Sequence, residues 1–149
     1  MTDPTLYDRD FYAWANEQAA LLRAGKLSAA DIEHIAEEIE SMGRSEMREL
    51  VSRLAVALMH LLKWQYQPGG RGNSRRLTIE EQRNQIVRHL RYNPSLKSRV
   101  AEAIEDSYRD AILAAARETN LDRKAFPAVC PWTFEQITDE DFWPGDGAH

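Results

Sequence analysis

Residues 45–66 read SEMRELVSRLAVALMHLLKWQY, and the fold turns on how that stretch is read. Apolar side chains fall at Met47, Leu50, Val51, Leu54, Leu58, Leu61 and Leu62. That is the three-and-four spacing of one helix face, with no Gly or Pro to interrupt it. Advancing about 100° per residue, these side chains lie in a stripe about 100° wide. The far side carries Arg53, His60 and Trp64 together with Glu49, Val56 and Ala57. A core stripe backed by a Trp and a Val predicts a helix touched by protein on both sides, the central helix of a bundle.

Around that helix the chain reads as one all-α domain over residues 1–149, a bundle of about five helices with core 7–120 and an aromatic, proline-rich tail over 121–143 wrapped on it. Upstream, Asp8 or Asp10 caps a helix running to about Arg23, with Phe11, Trp14, Ala15, Ala19 and Leu22 inward and Gly25 as a left-handed stop. Ser28 with Asp31 reads as the acidic form of a capping box for a second helix. Its stripe is Ile32, Ile35, Ala36, Ile39 and Met42. Gly43 is expected to break or kink it, giving a tight hairpin or one bent rod, and a break before Ser45 caps the central helix is preferred.

Downstream, Gln67–Ser74 (QPGGRGNS) is the clearest flexible loop. It lacks the spacing of a phosphate-cradling loop and follows a helix, not a strand. Thr78 with Glu81 caps a fourth helix to about Tyr92, with Ile79, Ile86, Val87 and Leu90 inward. Asn93-Pro94 starts a fifth, reaching Thr119 with Leu96, Val100, Ala103, Ile104, Ser107, Ala111 and Ala114 inward, and Asn120 stops it. In the tail, Thr133 with Gln136 caps one short turn.

Composition narrows the function classes. The longest apolar stretch, Leu54–Leu62, contains His60 and is too short to span a bilayer. The polar N-terminus MTDPTLYDRD is no signal peptide. A single cysteine excludes an internal disulfide and suits a reducing cytoplasm. The net charge of −5 conceals an asymmetry: residues 63–99 hold nine basic side chains against Glu80 and Glu81, between acidic flanks. Either charges complement one another within the fold or across a homodimer, or the basic middle meets an anion such as nucleic-acid phosphate.

Six motifs in order carry a resemblance. They are Y-D-x-D-F-Y-A-W at 7–14, E-E-I-E-S-M-G at 37–43, H-L-L-K-W-Q-Y at 60–66, T-I-x-E-Q-R at 78–83, P-S-L at 94–96 and F-P-x-x-C-P at 126–131. Together they resemble the bacterial proteins grouped as domain of unknown function family twenty-nine. The family tends to have Trp after the Ser of S-W-R-x-T-I. Here Arg75 follows Ser74, so no stacking role for that Trp carries over. The resemblance implies a small helical domain and supplies no activity, cofactor or catalytic residue.

The candidate sites follow from residue types and spacing. Arg53 and His60 share a helix face and loosely fit the Arg–His pair of HEPN-like metal-independent ribonucleases, where His moves a proton and Arg binds the scissile phosphate. The alternative is structural: His60 bonds a neighbouring helix and Arg53 pairs with Glu49 or Glu46. Arg83 and His89 fit the same spacing, but point about 120° apart on a straight helix. Lys63, Trp64, Arg71, Arg75, Arg76 and Arg83 form a basic, aromatic cluster suited to nucleic acid. His34, Glu37 and Glu38 are weighed as metal ligands and read instead as a solvated acidic face. Cys130 reads as a structural thiol. No cofactor and no metal are expected. The leading expectation is a non-enzymatic interaction protein that associates with itself or another protein, without a membrane. The alternative is a nucleic-acid-directed module using residues 63–99.

Overall fold

The computed structural model describes residues 5–145, and among them every regular element is helical. Six α-helices follow in order: α1 Leu6–Arg9, α2 Phe11–Arg23, α3 Ile32–Tyr66, α4 Asn73–Tyr92, α5 Val100–Thr119 and α6 Phe134–Thr138. Short 3-10 turns separate several of them. The chain divides into two compact units, residues 1–45 and 46–149, and α3 contributes residues to each.

In the second unit the expected seam is the core. Leu50, Leu54, Leu58, Leu61 and Leu62 are buried, with Met47 and Val51 packed at its edge. Trp64 and Ala57 beside the stripe are buried as well, but on the far side of α3 Glu49 and Val56 are exposed, Val56 to 39%, so the helix is covered part-way round and not on both sides as expected. From α4 come Ile79, Ile86 and Leu90, and from α5 Ala103, Ser107, Tyr108, Ala111 and Ala115. Small residues on α5 let neighbouring helices approach closely. The tail adds Phe126, Trp132 and Ile137 to the same cluster. Its short helix has the expected capping box, with Thr133 and Gln136 bonding each other's backbone N–H. Asn120 ends α5 at φ 60°, the left-handed stop read from the sequence.

In the first unit Asp10 caps α2 by accepting from the Ala13 N–H, and Gly25 follows at φ +74°. Only Trp14 and Gln18 of α2 are buried, while Phe11 and Leu22 are half exposed.

Several expectations are corrected. The long helix starts at Ile32, not Ser28: Asp31 accepts from the His34 N–H, and Ser28 sits in a 3-10 turn. Gly43 does not break it. Its φ is not positive, and α3 runs on for 35 residues, since a mid-helix Gly costs only about 1 kcal/mol relative to Ala. The stripe of Ile32, Ala36, Ile39 and Met42 is exposed rather than inward. Helix α4 starts at Asn73, five residues before Thr78, whose hydroxyl instead donates to the Ser74 carbonyl. That shortens the expected glycine loop, part of which is a 3-10 turn at Pro68–Gly70. Pro94–Arg99 is likewise 3-10, so α5 begins only at Val100. Val87, expected inward, is 40% exposed.

Candidate functional site

The two residues singled out for catalysis part company. Arg53 lines a groove with Glu49, Gln85, Arg88, His89 and Tyr92, and His60 is not among the residues that line it. Arg53 donates to the Gln85 side chain and sits 3.6 Å from Glu49, one turn earlier. His60 is half-buried and its Nδ1 has no partner. Burial lowers its pKa first, and the neighbouring Lys63 lowers it further. The cations that act on His60 are Lys63 and Arg75 rather than Arg53, so the two residues of the expected acid–base pair do not share the groove.

His89, weighed from the sequence only as a partner of Arg83, meets carboxylates instead. It is 6% exposed on α4 and faces α3. Its Nδ1 lies 2.6 Å from Glu49, and its Nε2 lies 2.9 Å from the Glu46 carbonyl oxygen. The Glu46 carboxylate is 3.7 Å from the same nitrogen and accepts from Asn93 at 3.4 Å. Glu46, Glu49 and His89 thus place three ligand atoms within 4.8 Å of one another, the set best able to hold a metal ion among the described residues. Both ring nitrogens are already bonded to protein oxygens, so an ion would have to displace one of those bonds. The signal for this cluster was the Glu46-x-x-Glu49 spacing on one face of α3; its partner His89 comes from another helix and no local pattern points to it.

The basic cluster is turned toward the protein. Lys63 is 8% exposed and pairs with Glu118 at 3.1 Å. Trp64 is 2% exposed and tilts against Trp143 with ring centres 4.6 Å apart. Arg71 donates through Nε to the Trp64 carbonyl at 2.6 Å. Arg75 reaches the Gln67 side-chain oxygen at 3.3 Å. The Arg76 guanidinium lies over the Trp143 ring at 4.4 Å. Arg83 is 1% exposed and donates to the Ile137 carbonyl at 2.8 Å and the Phe142 carbonyl at 2.6 Å, with a longer bond to Gln136. Cations over an indole face and donors on tail carbonyls fasten residues 136–143 to α3 and α4.

Cys130 is partly buried, its S–H directed at the Trp132 carbonyl 3.5 Å away, and burial pushes the thiol pKa up. A raised thiol pKa is the opposite of what a nucleophile requires. Nearby, Tyr108 donates to the Pro127 carbonyl at 2.7 Å and burial raises its pKa.

In the first unit, His34 and Glu38 are network members rather than a solvated face. Tyr7 donates to Glu38, and its ring stacks on His34 with centres 4.0 Å apart. His34 Nδ1 is 2.6 Å from Asp31, which also accepts from the Trp14 indole at 3.1 Å. The Gln18 side-chain oxygen accepts from the Asp31 N–H at 2.7 Å. The bond to Glu38 is the main cause that pushes the Tyr7 pKa up to about 12. Asp31 raises the imidazole pKa of His34, and His34 in turn lowers that of Asp31.

The model of the family described as domain of unknown function DUF29 matches residues 6–143. The chain belongs to the DUF29 family. No curated protein and no solved structure matches it. DUF29 membership brings no assigned chemistry, so function rests on the residues themselves. No helix among the described residues is long and apolar enough to cross a membrane.

Proposed function

We propose that this DUF29 protein is a non-enzymatic interaction module that self-associates through the first part of α3. One observation carries the reading: Ile32, Ile39 and Met42 are 53%, 58% and 62% exposed on a well-formed helix. With Ile35, Ala36 and Gly43 they fall in a sector about 120° wide that contains no charged residue before Glu46, which closes it. Glu33, Glu37, Glu40 and Arg44 lie outside it. Contiguous exposed apolar surface of this kind marks an interaction site. The small residues Ala36 and Gly43 let a second helix come close, and a second copy of the chain supplies an equally apolar helix face for an isologous pair.

What weighs against the nucleic-acid alternative is the use already made of Lys63, Arg71, Arg75, Arg76 and Arg83 inside the protein. What weighs against an enzyme is the separation of His60 from the groove that holds Arg53. Sedimentation velocity over a hundredfold range of concentration tests the proposal. The wild type should shift from monomer to dimer, and Ile39→Glu, at an exposed position, should stay monomeric with an unchanged helical signal. A wild type that remains monomeric throughout, or a variant that associates equally well, refutes it.

A further inference from the structure

Arg83 is anomalous for a buried cation. At 1% exposure it has no ion-pair partner among the described residues, and its Nη1 makes no hydrogen bond. Its other donors meet neutral backbone carbonyls. The carboxylates of Asp139, Glu140 and Glu80 lie near enough to be felt, but none pairs with it. Removing a charge from water without a counter-charge is costly, and the carbonyls and the face of Trp143, 5.1 Å away, offset only part of that.

Beside it lies a cleft of about 330 Å³ between α4 and the tail. Arg83, Arg88 and Arg91 line it, with Asn84, Thr138 and one carboxylate, Glu140. On α4 the three arginines fall within an arc of about 140°. Arg88 and Arg91 are exposed and have no ion-pair partner among the described residues, so their long side chains are available to a ligand. The Thr138 hydroxyl is already committed to the Phe134 carbonyl at 2.9 Å. The cleft falls at the lower end of small-molecule sites, roughly 300–1,000 Å³. Three guanidinium forks around one such space match the geometry of phosphoryl oxygens.

The geometry points to a binding site for a small phosphorylated molecule, whose phosphoryl group is held by Arg83, Arg88 and Arg91. Arg83 is the fixed donor, anchored by the tail. Arg88 and Arg91 close on the ligand from solvent, and Asn84 offers a further amide donor.

Thermal unfolding of the full chain, titrated with inorganic phosphate against chloride at matched ionic strength, tests the site. The wild type should gain a saturable rise in Tm, as expected when a ligand binds only the folded state. Glycerol 2-phosphate should act at lower concentration than phosphate if the rest of the cleft is used. Arg88→Gln with Arg91→Gln should leave the fold intact, because both side chains are exposed, and weaken both ligands about tenfold or more. Arg91→Gln alone supplies the same comparison with a smaller loss. The site is overturned by no rise above chloride, by an equal rise in the variants, or by stabilisation from a short RNA but from neither phosphate nor its monoester.

Discussion

The two units solve the same problem by different means. The second buries a continuous apolar cluster from α3, α4, α5 and the tail, and Leu50, Leu54, Leu58, Leu61 and Leu62 are all wholly buried. Among the described residues the first has one large buried apolar side chain, Trp14, and relies on polar and ring contacts among Tyr7, Trp14, Asp31, His34 and Glu38. A single helix thus carries a dry seam at Leu50–Leu62 and a wet apolar stripe at Ile32–Met42. The difference teaches that helical periodicity marks which face is apolar, while coverage depends on what else the chain brings to it.

The sharpest way to break this comparison is in the dry seam. Leu58→Ala should lower the stability measured by urea unfolding by about 3–5 kcal/mol, the cost of lost burial plus a cavity. A loss below about 1 kcal/mol would mean that the seam is not the heart of this unit.

A smaller effect is expected at Gly43. A Cβ built there meets nothing within 4 Å, and the backbone is helical. Gly43→Ala should therefore raise stability by about 1 kcal/mol in dilute solution, where association does not contribute. Destabilisation would show that the helix needs its glycine.

The smallest effect belongs to the first unit and depends on pH. The His34 imidazole pKa is raised above its ordinary 6.5, so its contribution is complete below pH 6.5 and is lost as pH rises through the higher folded value. The Asp31 pKa is lowered below its ordinary 3.8, so its contribution is complete above pH 3.8 and is lost as pH falls through the lower folded value. Hydrogen-exchange protection of α2, corrected for intrinsic rates, should be greatest between about pH 4 and 6.5. His34→Gln should flatten the loss on the alkaline side. A profile identical in wild type and variant would remove the pair from the account of this unit.

Much of the fold was legible locally. The seam of Met47–Leu62, the Asp10 cap, the Gly25 and Asn120 stops and the Thr133 capping box depend on neighbours within a turn or two. The errors also had local causes. Ser28 and Thr78 looked like caps because the motif is short, yet Asp31 and residues ahead of Thr78 start the helices. Gly43 looked like a break, but a helix with satisfied bonds on both sides absorbs one glycine.

The candidate site was less legible. Arg53 and His60 share a face, and that was visible; the groove of Glu49, Arg53 and His89 excludes His60, and that was not. Arg83 was grouped from the sequence with a basic cluster suited to nucleic acid. Its acceptors lie on residues 136, 137 and 142, more than fifty positions away.

The amino-acid sequence alone settles that the chain is helical, where its apolar faces lie and that its positive charge gathers in residues 63–99, because propensity, periodicity and capping act over a few residues. Tertiary structure decides which apolar face stays wet, which arginines fasten the tail and which remain open beside a cleft. Those outcomes depend on groups brought together from distant parts of the chain, and only their arrangement in space determines whether a charge meets a carbonyl, an indole or water.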